Sequence, residues 1–180
     1  MAFSFKSLSI PEVILVEPKV FSDDRGYFLE SFKSSEFLLN HIPNYFVQDN
    51  LSFSKQNVIR GMHLQKKPKE QGKLVSVIKG RVLDVAVDLR EESPTFTKWI
   101  AVELNDKQHA MLYIPEGFAH GFLALTVEVY LVYKCTKEYD PKYDSGIRWD
   151  DPDIGIEWPI NEPVVSEKDK NLPYFKHLYM

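Results

Sequence analysis

Residues 73 to 90 read KLVSVIKGRVLDVAVDLR, and no other stretch says as much about the fold. Two valine-rich runs flank Lys79 and Gly80, where glycine takes the positive φ of a tight turn without strain, so the segment predicts a β-hairpin. Side chains at i and i+2 share a strand face, which puts Lys73, Val75 and Val77 on one side and Leu74, Ser76 and Ile78 on the other. Outward from this segment the pattern recurs. KWIAVEL (98–104), HAMLYIP (109–115), FAHGFLAL (118–125) and VEVYLVYKCT (127–136) read as strands, punctuated by Asn105-Asp106, Pro115-Glu116-Gly117 and Thr126. Only SSEFLLNHI (34–42) suggests a short helix, with a serine N-cap and an early Glu36. Many short strands, with no alternating helices to carry parallel crossovers, favour an all-β antiparallel sandwich or barrel. A jelly roll, whose two sheets enclose a cavity, is the first choice.

Composition bounds the rest. A chain of 180 residues, 44% hydrophobic and 27% charged, supports one substantial core. Its even composition offers no linker, repeat or low-complexity stretch at which to cut it, so a single domain over 1–180 is expected. Aromatic residues at 13% and 11 prolines fit short strands and turns. The net charge of −4, without any long basic run, argues against nucleic acid or an anionic membrane as partner, so an anionic ligand needs a local cluster of cations. The beginning MAFSFKSLSIPEV lacks the basic leader and apolar core of an export signal, and no stretch approaches about 18 apolar residues. The single Cys135 cannot close an internal disulfide. A cytoplasmic protein is expected.

Chemistry concentrates around VIRGMHLQ (58–65), an apolar strand interrupted by Arg60, Gly61 and His63. A solvated arginine and a satisfied core histidine would explain it with no function attached. Their odd separation puts Arg60 and His63 on opposite faces of a regular strand. For both to line one cavity the strand must bulge, and Gly61 is the residue that most easily allows it. Lys73 stands at the end of an apolar row, as a snorkelling lysine also would. Val129, Leu131, Tyr133 and Cys135 share a face, so Tyr133 is a phenol at the end of an aliphatic row, either packed structurally or facing a cavity.

The turn in PEGFAHGF (115–122) leads into His120 between Phe118 and Phe122. Two histidines raise a metal reading, because metal-binding jelly rolls of the cupin type use a His-x-His pair, a glutamate and a later histidine. Here the position two after His63 is Gln65, a poor ligand for transition metals, so no metal is expected. Groups of different proton affinity beside a cation suit proton transfer at a carbon next to a carbonyl. That step needs a base, a cation where oxyanion charge develops and an acid to return the proton. Return from the opposite face inverts the centre. An imidazole base works with a carboxylate on its far nitrogen, and Asp169 in VVSEKDKNLP is the candidate, although such a charged segment is ordinarily a surface turn.

Taken together and in order, FSDDRGYFLESF, QDNLSFSKQNVIRGMHLQ, QGKLVSVIKGRVLDVAVDLR, SPTFTKW, IPEGFAHGF, VYKCT, GIRWDDPDIGIEWP and SEKD resemble the dTDP-4-dehydrorhamnose 3,5-epimerases of deoxysugar biosynthesis over nearly the whole chain. The resemblance implies a cupin-type double-stranded β-helix without a metal, a homodimer whose chains exchange strands, and a reaction with no cofactor. It implies inversion of C3 and C5 of dTDP-4-keto-6-deoxyglucose, both acidified by the 4-ketone, to give dTDP-4-keto-L-rhamnose. In this likeness His63 is the base paired with Asp169, Lys73 stabilises the enolate at the ketone oxygen, and Tyr133 returns the proton from the other face. Arg25 and Arg60 fall near the diphosphate, where a guanidinium fork suits phosphate oxygens. Phe21, Glu30, Gln48 and Asn50 meet the base and sugar of the nucleotide, Tyr139 stacks, and Lys168 adds a phosphate contact. His120 and Asp84 match positions within the cavity, and some contacts come from a partner chain. Other readings stay open. Relatives with nearly the same residues invert only C3 or act on related nucleotide sugars, and a metal-dependent cupin enzyme or a noncatalytic sugar-nucleotide binder would share the fold.

Overall fold

The computed structural model describes residues 2–178. Its elements in chain order are β1 (Phe3–Ser7), β2 (Ile14–Pro18), β3 (Val20–Asp23), β4 (Gly26–Leu29), α1 (Ser34–Leu39), β5 (Gln48–Lys55), β6 (Val58–Gln65) and β7 (Lys73–Lys79). They continue with β8 (Arg81–Asp88), β9 (Trp99–Asn105), β10 (Met111–Ile114), β11 (Phe118–Ala124), β12 (Glu128–Cys135), β13 (Asp144–Gly146), β14 (Val164–Val165) and α2 (Glu167–Lys170), and end in a 3₁₀ turn at Phe175–His177. One sheet runs β1-β2-β10-β7-β12-β5, the other β13-β6-β11-β8-β9, with β14 added in parallel beside β6. A separate two-stranded ribbon is formed by β3 and β4. The inner faces of the two sheets share one core, in which Val75, Val77 and Leu131 of the first meet Val82, Ala86 and Phe122 of the second. This is the expected jelly roll.

The hairpin expected of residues 73–90 is not formed. β7 pairs with β10 and β12, whereas β8 pairs with β11 and β9, so the chain leaves one sheet for the other at Lys79–Gly80. The reason lies in the apolar rows. In a hairpin, Val75 and Val77 would lie beside Val82 and Ala86 on one surface. Folded across a corner, the rows face each other and close the core, where each fully buried side chain of this size contributes roughly 1.5–3 kcal/mol. Gly80 still makes the turn, with φ of 88° and its N–H donated to Asp106 Oδ2 at 2.8 Å. A Cβ there would strike the Glu128 carbonyl and the Thr126 hydroxyl.

The strands expected near residues 98–136 are present as β9 to β12. The helix is shorter than expected, and its cap differs. Lys33, not a serine, is the N-cap and makes no side-chain capping bond, while both serines lie inside the first turn. Lys33 instead pairs with Glu36 at 3.0 Å, and the Asn40 amide closes the helix by donating to the Glu36 carbonyl at 2.8 Å. The helix seals the outer face of the first sheet, with Phe37 edge-on to Phe3 and Phe5. The outer face of the second sheet is covered by the C-terminal segment through Ile147, Ile154 and Leu178.

Candidate active site

The site begins with the bulge in β6. His120 of β11 faces His63 and Phe122 faces Arg60, so Gly121 alone stands against the two residues Gly61 and Met62. Gly61 has φ of 132°, and a Cβ on it would lie 2.5 Å from Gly121 Cα. The extra residue resets the alternation. Ile59 and Met62, an odd number apart, are both buried in the outer layers, which leaves Arg60 and His63 both on the inner side. Arg60 reaches along that side to β5, its Nε donating to Ser54 Oγ and its Nη2 to the Phe53 carbonyl, each at 2.9 Å.

His63 Nε2 lies 2.7 Å from Asp169 Oδ1, and Asp169 Oδ2 accepts the Gly61 N–H at 3.2 Å. Burial works to raise the Asp169 pKa, but the bonds from His63 and Gly61 outweigh it and hold the carboxyl below the usual carboxylate range. An ionised Asp169 can only accept, so Nε2 carries the proton and Nδ1 is the nitrogen left with a lone pair. Asp169 itself is placed by α2, whose N-cap Ser166 accepts the Asp169 N–H at 3.1 Å. The charged segment that reads as a surface turn thus buries its aspartate at 4% exposure.

Facing this pair, the first sheet contributes Lys73 and Tyr133. Lys73 is only 7% exposed, and its ammonium makes a long 3.3 Å bond to the His63 carbonyl. Burial pushes its pKa down, against the pull of Cys135, Asp84 and Asp144. Such a poorly solvated amine gains strongly from a developing oxyanion. It stands 6.0 Å from the centre of the Tyr133 ring. Burial raises the Tyr133 pKa, Cys135 adds to the rise and Arg60 opposes it, so the phenol keeps its proton and can donate it.

His63, Lys73 and Tyr133 line a cleft of about 290 Å³ together with Gln48, Asn50, Tyr139 and Lys168. Gln48 ties the wall, donating to Asn50 Oδ1 at 3.0 Å and accepting the Tyr139 N–H at 2.7 Å. Asp144, which the sequence reading missed, accepts from the Tyr139 hydroxyl at 3.1 Å and pairs with Lys168, whose pKa rises through that bond. A lone aspartate in a charged turn carries no signal of this role.

The other expected residues lie elsewhere. His120 is not among the residues lining the cleft. Its Nε2 sits 2.9 and 3.0 Å from the two Asp84 oxygens, both residues are buried, and its ring meets Tyr133 edge-on at 6.4 Å. Phe21 and Arg25 ride on the exposed ribbon, where Arg25 pairs with Asp23, and Glu30 follows that ribbon with Oε2 buried and unpartnered. Among the described strands the ribbon's two pair with each other alone, and none of these three residues lines the cleft. Nor do the residues compose a metal site. The Gln65 side chain donates to the carbonyls of Lys69 and Glu138 at 2.6 and 3.2 Å and accepts the Asp140 N–H at 2.6 Å. Among the described residues no group of three His, Cys, Asp or Glu is placed to hold an ion.

The family model described as dTDP-4-dehydrorhamnose 3,5-epimerase matches residues 7–177. A protein of that name from Methanothermobacter thermautotrophicus is 52% identical over 172 residues, covering 94% of this chain and 92% of the relative. A dTDP-6-deoxy-D-glucose 3,5-epimerase from Legionella pneumophila, crystallised with dTDP-4-keto-L-rhamnose, superposes with a TM-score of 0.93 at 42% identity, over 98% of this chain and 94% of that one. A 3′-monoepimerase from Streptomyces bikiniensis, crystallised with dTDP-quinovose, superposes with a TM-score of 0.87 at 35% identity, over 93% of this chain and 85% of that one.

Proposed function

The chain belongs to the dTDP-4-dehydrorhamnose 3,5-epimerase family, and from that membership we propose that it inverts C3 and C5 of dTDP-4-keto-6-deoxyglucose to give dTDP-4-keto-L-rhamnose, on the route to dTDP-rhamnose. One observation carries the mechanism. His63, paired with Asp169, and Tyr133 come from opposite sheets and line one cleft with Lys73, whose amine lies 3.3 Å from the His63 carbonyl and 6.0 Å from the centre of the Tyr133 ring. A sugar ring held in the cleft has a base on one face and a proton donor on the other.

His63 Nδ1 takes the proton from the carbon next to the ketone, and Asp169 stabilises the imidazolium. The electron pair moves onto the ketone oxygen, where Lys73 compensates the charge. Tyr133 gives its proton to the opposite face of the carbon, and the centre inverts. Both groups then reset by exchange with solvent, and the second carbon follows in the same way. Arg60 and Lys168 offer cations to the diphosphate, Tyr139 a ring to the nucleotide, and Gln48 and Asn50 amides to its polar edges.

Phe21, Arg25 and Glu30 do not line the cleft of their own chain, which fits a homodimer in which the ribbon of one protomer brings them to the other's cleft. The ribbon's exposed aromatics, Phe21, Tyr27 and Phe28, suit such a role. A single domain over 1–180, working in the cytoplasm, completes this reading. Among the described residues no helix is long and apolar enough to cross a membrane.

Turnover of the keto sugar in heavy water tests the proposal. Deuterium is expected at both C3 and C5. Label confined to C3 would select the single inversion that the likeness to the 3′-monoepimerase also allows, and no label at either carbon would leave a binder without this chemistry.

A further inference from the structure

Asp169 is presented by a helix of four residues, too short to hold itself in place. Upstream, β14 anchors its segment in parallel on β6. Downstream the grip comes from Arg148. Its Nη1 donates to the Lys170 carbonyl, one peptide beyond Asp169, at 2.6 Å, and its backbone N–H to the Pro173 carbonyl at 3.0 Å. Its guanidinium lies 4.9 Å from the centre of the Tyr174 ring. The fork is aimed by Asp150, which accepts from Nε and Nη2 at 2.7 Å each.

Arg148 is itself fixed to the strand that carries His63. The preceding Ile147 exchanges backbone bonds with Met62, at 3.1 and 3.3 Å, and Gly146 faces His63 in the β13–β6 register. A rigid path therefore runs from β6 through Ile147 and the Arg148 fork to the peptide beside Asp169. By contrast, among the described bonds those of Ser166 and Asn171 stay within the α2 segment, and the direct tie to β6 runs through the Asp169 carboxylate itself, to the Gly61 N–H and His63. We propose that Arg148 is a positioning residue for the base, setting the distance at which Asp169 meets His63 Nε2. The proposal rests on the reading of His63–Asp169 as the base pair.

The test is a double-mutant cycle on kcat and KM, using Arg148→Ala, Asp169→Asn and the two combined. Arg148→Ala is expected to lower kcat by up to about a hundredfold, the scale of a misplacement near 1 Å, with little change in KM. Asp169→Asn lowers kcat further. The double variant falls no lower than Asp169→Asn alone, because the carboxylate that Arg148 positions is already replaced by a neutral amide. Arg148→Lys, which keeps the charge but not the planar fork, recovers part of the loss, and it carries the same cycle if Arg148→Ala does not fold. Losses that multiply in the double variant, or a loss carried by KM alone, overturn the proposal. Full activity in Asp169→Asn overturns the base reading itself, and that single variant tells the two failures apart.

Discussion

Among the described residues the same chemical pair stands twice, side by side. His63 and His120 are direct cross-strand partners, and each holds an aspartate through Nε2. In the first pair the histidine side chain is 33% exposed, and its aspartate arrives from a short helix 106 residues along the chain. In the second pair both groups are buried and stand on neighbouring strands of one sheet, β11 and β8. A histidine–aspartate pair is thus not a functional signature in itself. A pair becomes a usable base where the imidazole opens onto a cleft, and elsewhere it is a satisfied polar group in a core. Here the bulge at Gly61 and the arrival of α2 open one pair, while unbroken β11–β8 pairing closes the other.

Deleting each ring in turn separates the two pairs most directly. His63→Ala is expected to cost roughly a hundredfold to ten-thousandfold in turnover, the range for losing a general base, and to lower thermal stability less than His120→Ala does, because the Gly61 N–H still holds Asp169 Oδ2. Isotope wash-in and melting curves on the same sample read both effects. His120→Ala should act chiefly on stability, because Asp84 is left buried without its hydrogen-bond donor, at a cost of about 1–3 kcal/mol in urea unfolding. His120→Gln keeps a donor toward Asp84 and should recover part of that loss. If His120→Ala melted like the parent protein but lost turnover, the roles of the two pairs would have to be exchanged.

How much of this is legible in the sequence follows from the range over which each feature is set. Alternation is local, so the strands and the shared faces of Lys73 with Val75 and Val77, and of Tyr133 with Leu131, are readable. The bulge is readable as a requirement, because parity forbids Arg60 and His63 one face without it. The choice between a hairpin and a corner at Gly80 is not local. The same turn residue serves both, and only the need of two apolar rows to face each other decides. The meeting of Asp144 with Lys168 and Tyr139, and the grip of Arg148 on the Lys170 carbonyl, depend on where loops close in space, and charged turns carry no periodicity. Asp169 comes from the family resemblance more than from its surroundings, since nothing in SEKDK marks one acidic residue as buried. The position of His120 behind Tyr133 is likewise set by β11 as a whole, so a histidine flanked by two phenylalanines reads equally well as ligand or as core.

The smallest expected effect is a pH slope in stability that the buried pair produces near neutrality. Burial holds the His120 pKa below the ordinary histidine value; Asp84 opposes the shift, and the charges of Lys73 and His63 add to it. The Tyr133 ring packs edge-on against it. In the unfolded chain this histidine titrates near 6.5. Between that value and the lower folded one the unfolded state binds more protons, so stability is full above about 6.5 and is lost as pH falls. Asp169 has the same sign in a lower window, because its pKa is held below 3.8 and its contribution declines only as pH falls beneath that value. Melting temperatures are therefore expected to fall between pH 7 and pH 5, and the slope should be shallower in His120→Gln, which has no ring to titrate. Equal slopes in the parent and the variant would mean that His120 is not held neutral by burial, and the physical distinction between the two pairs would then rest on access to the cleft alone.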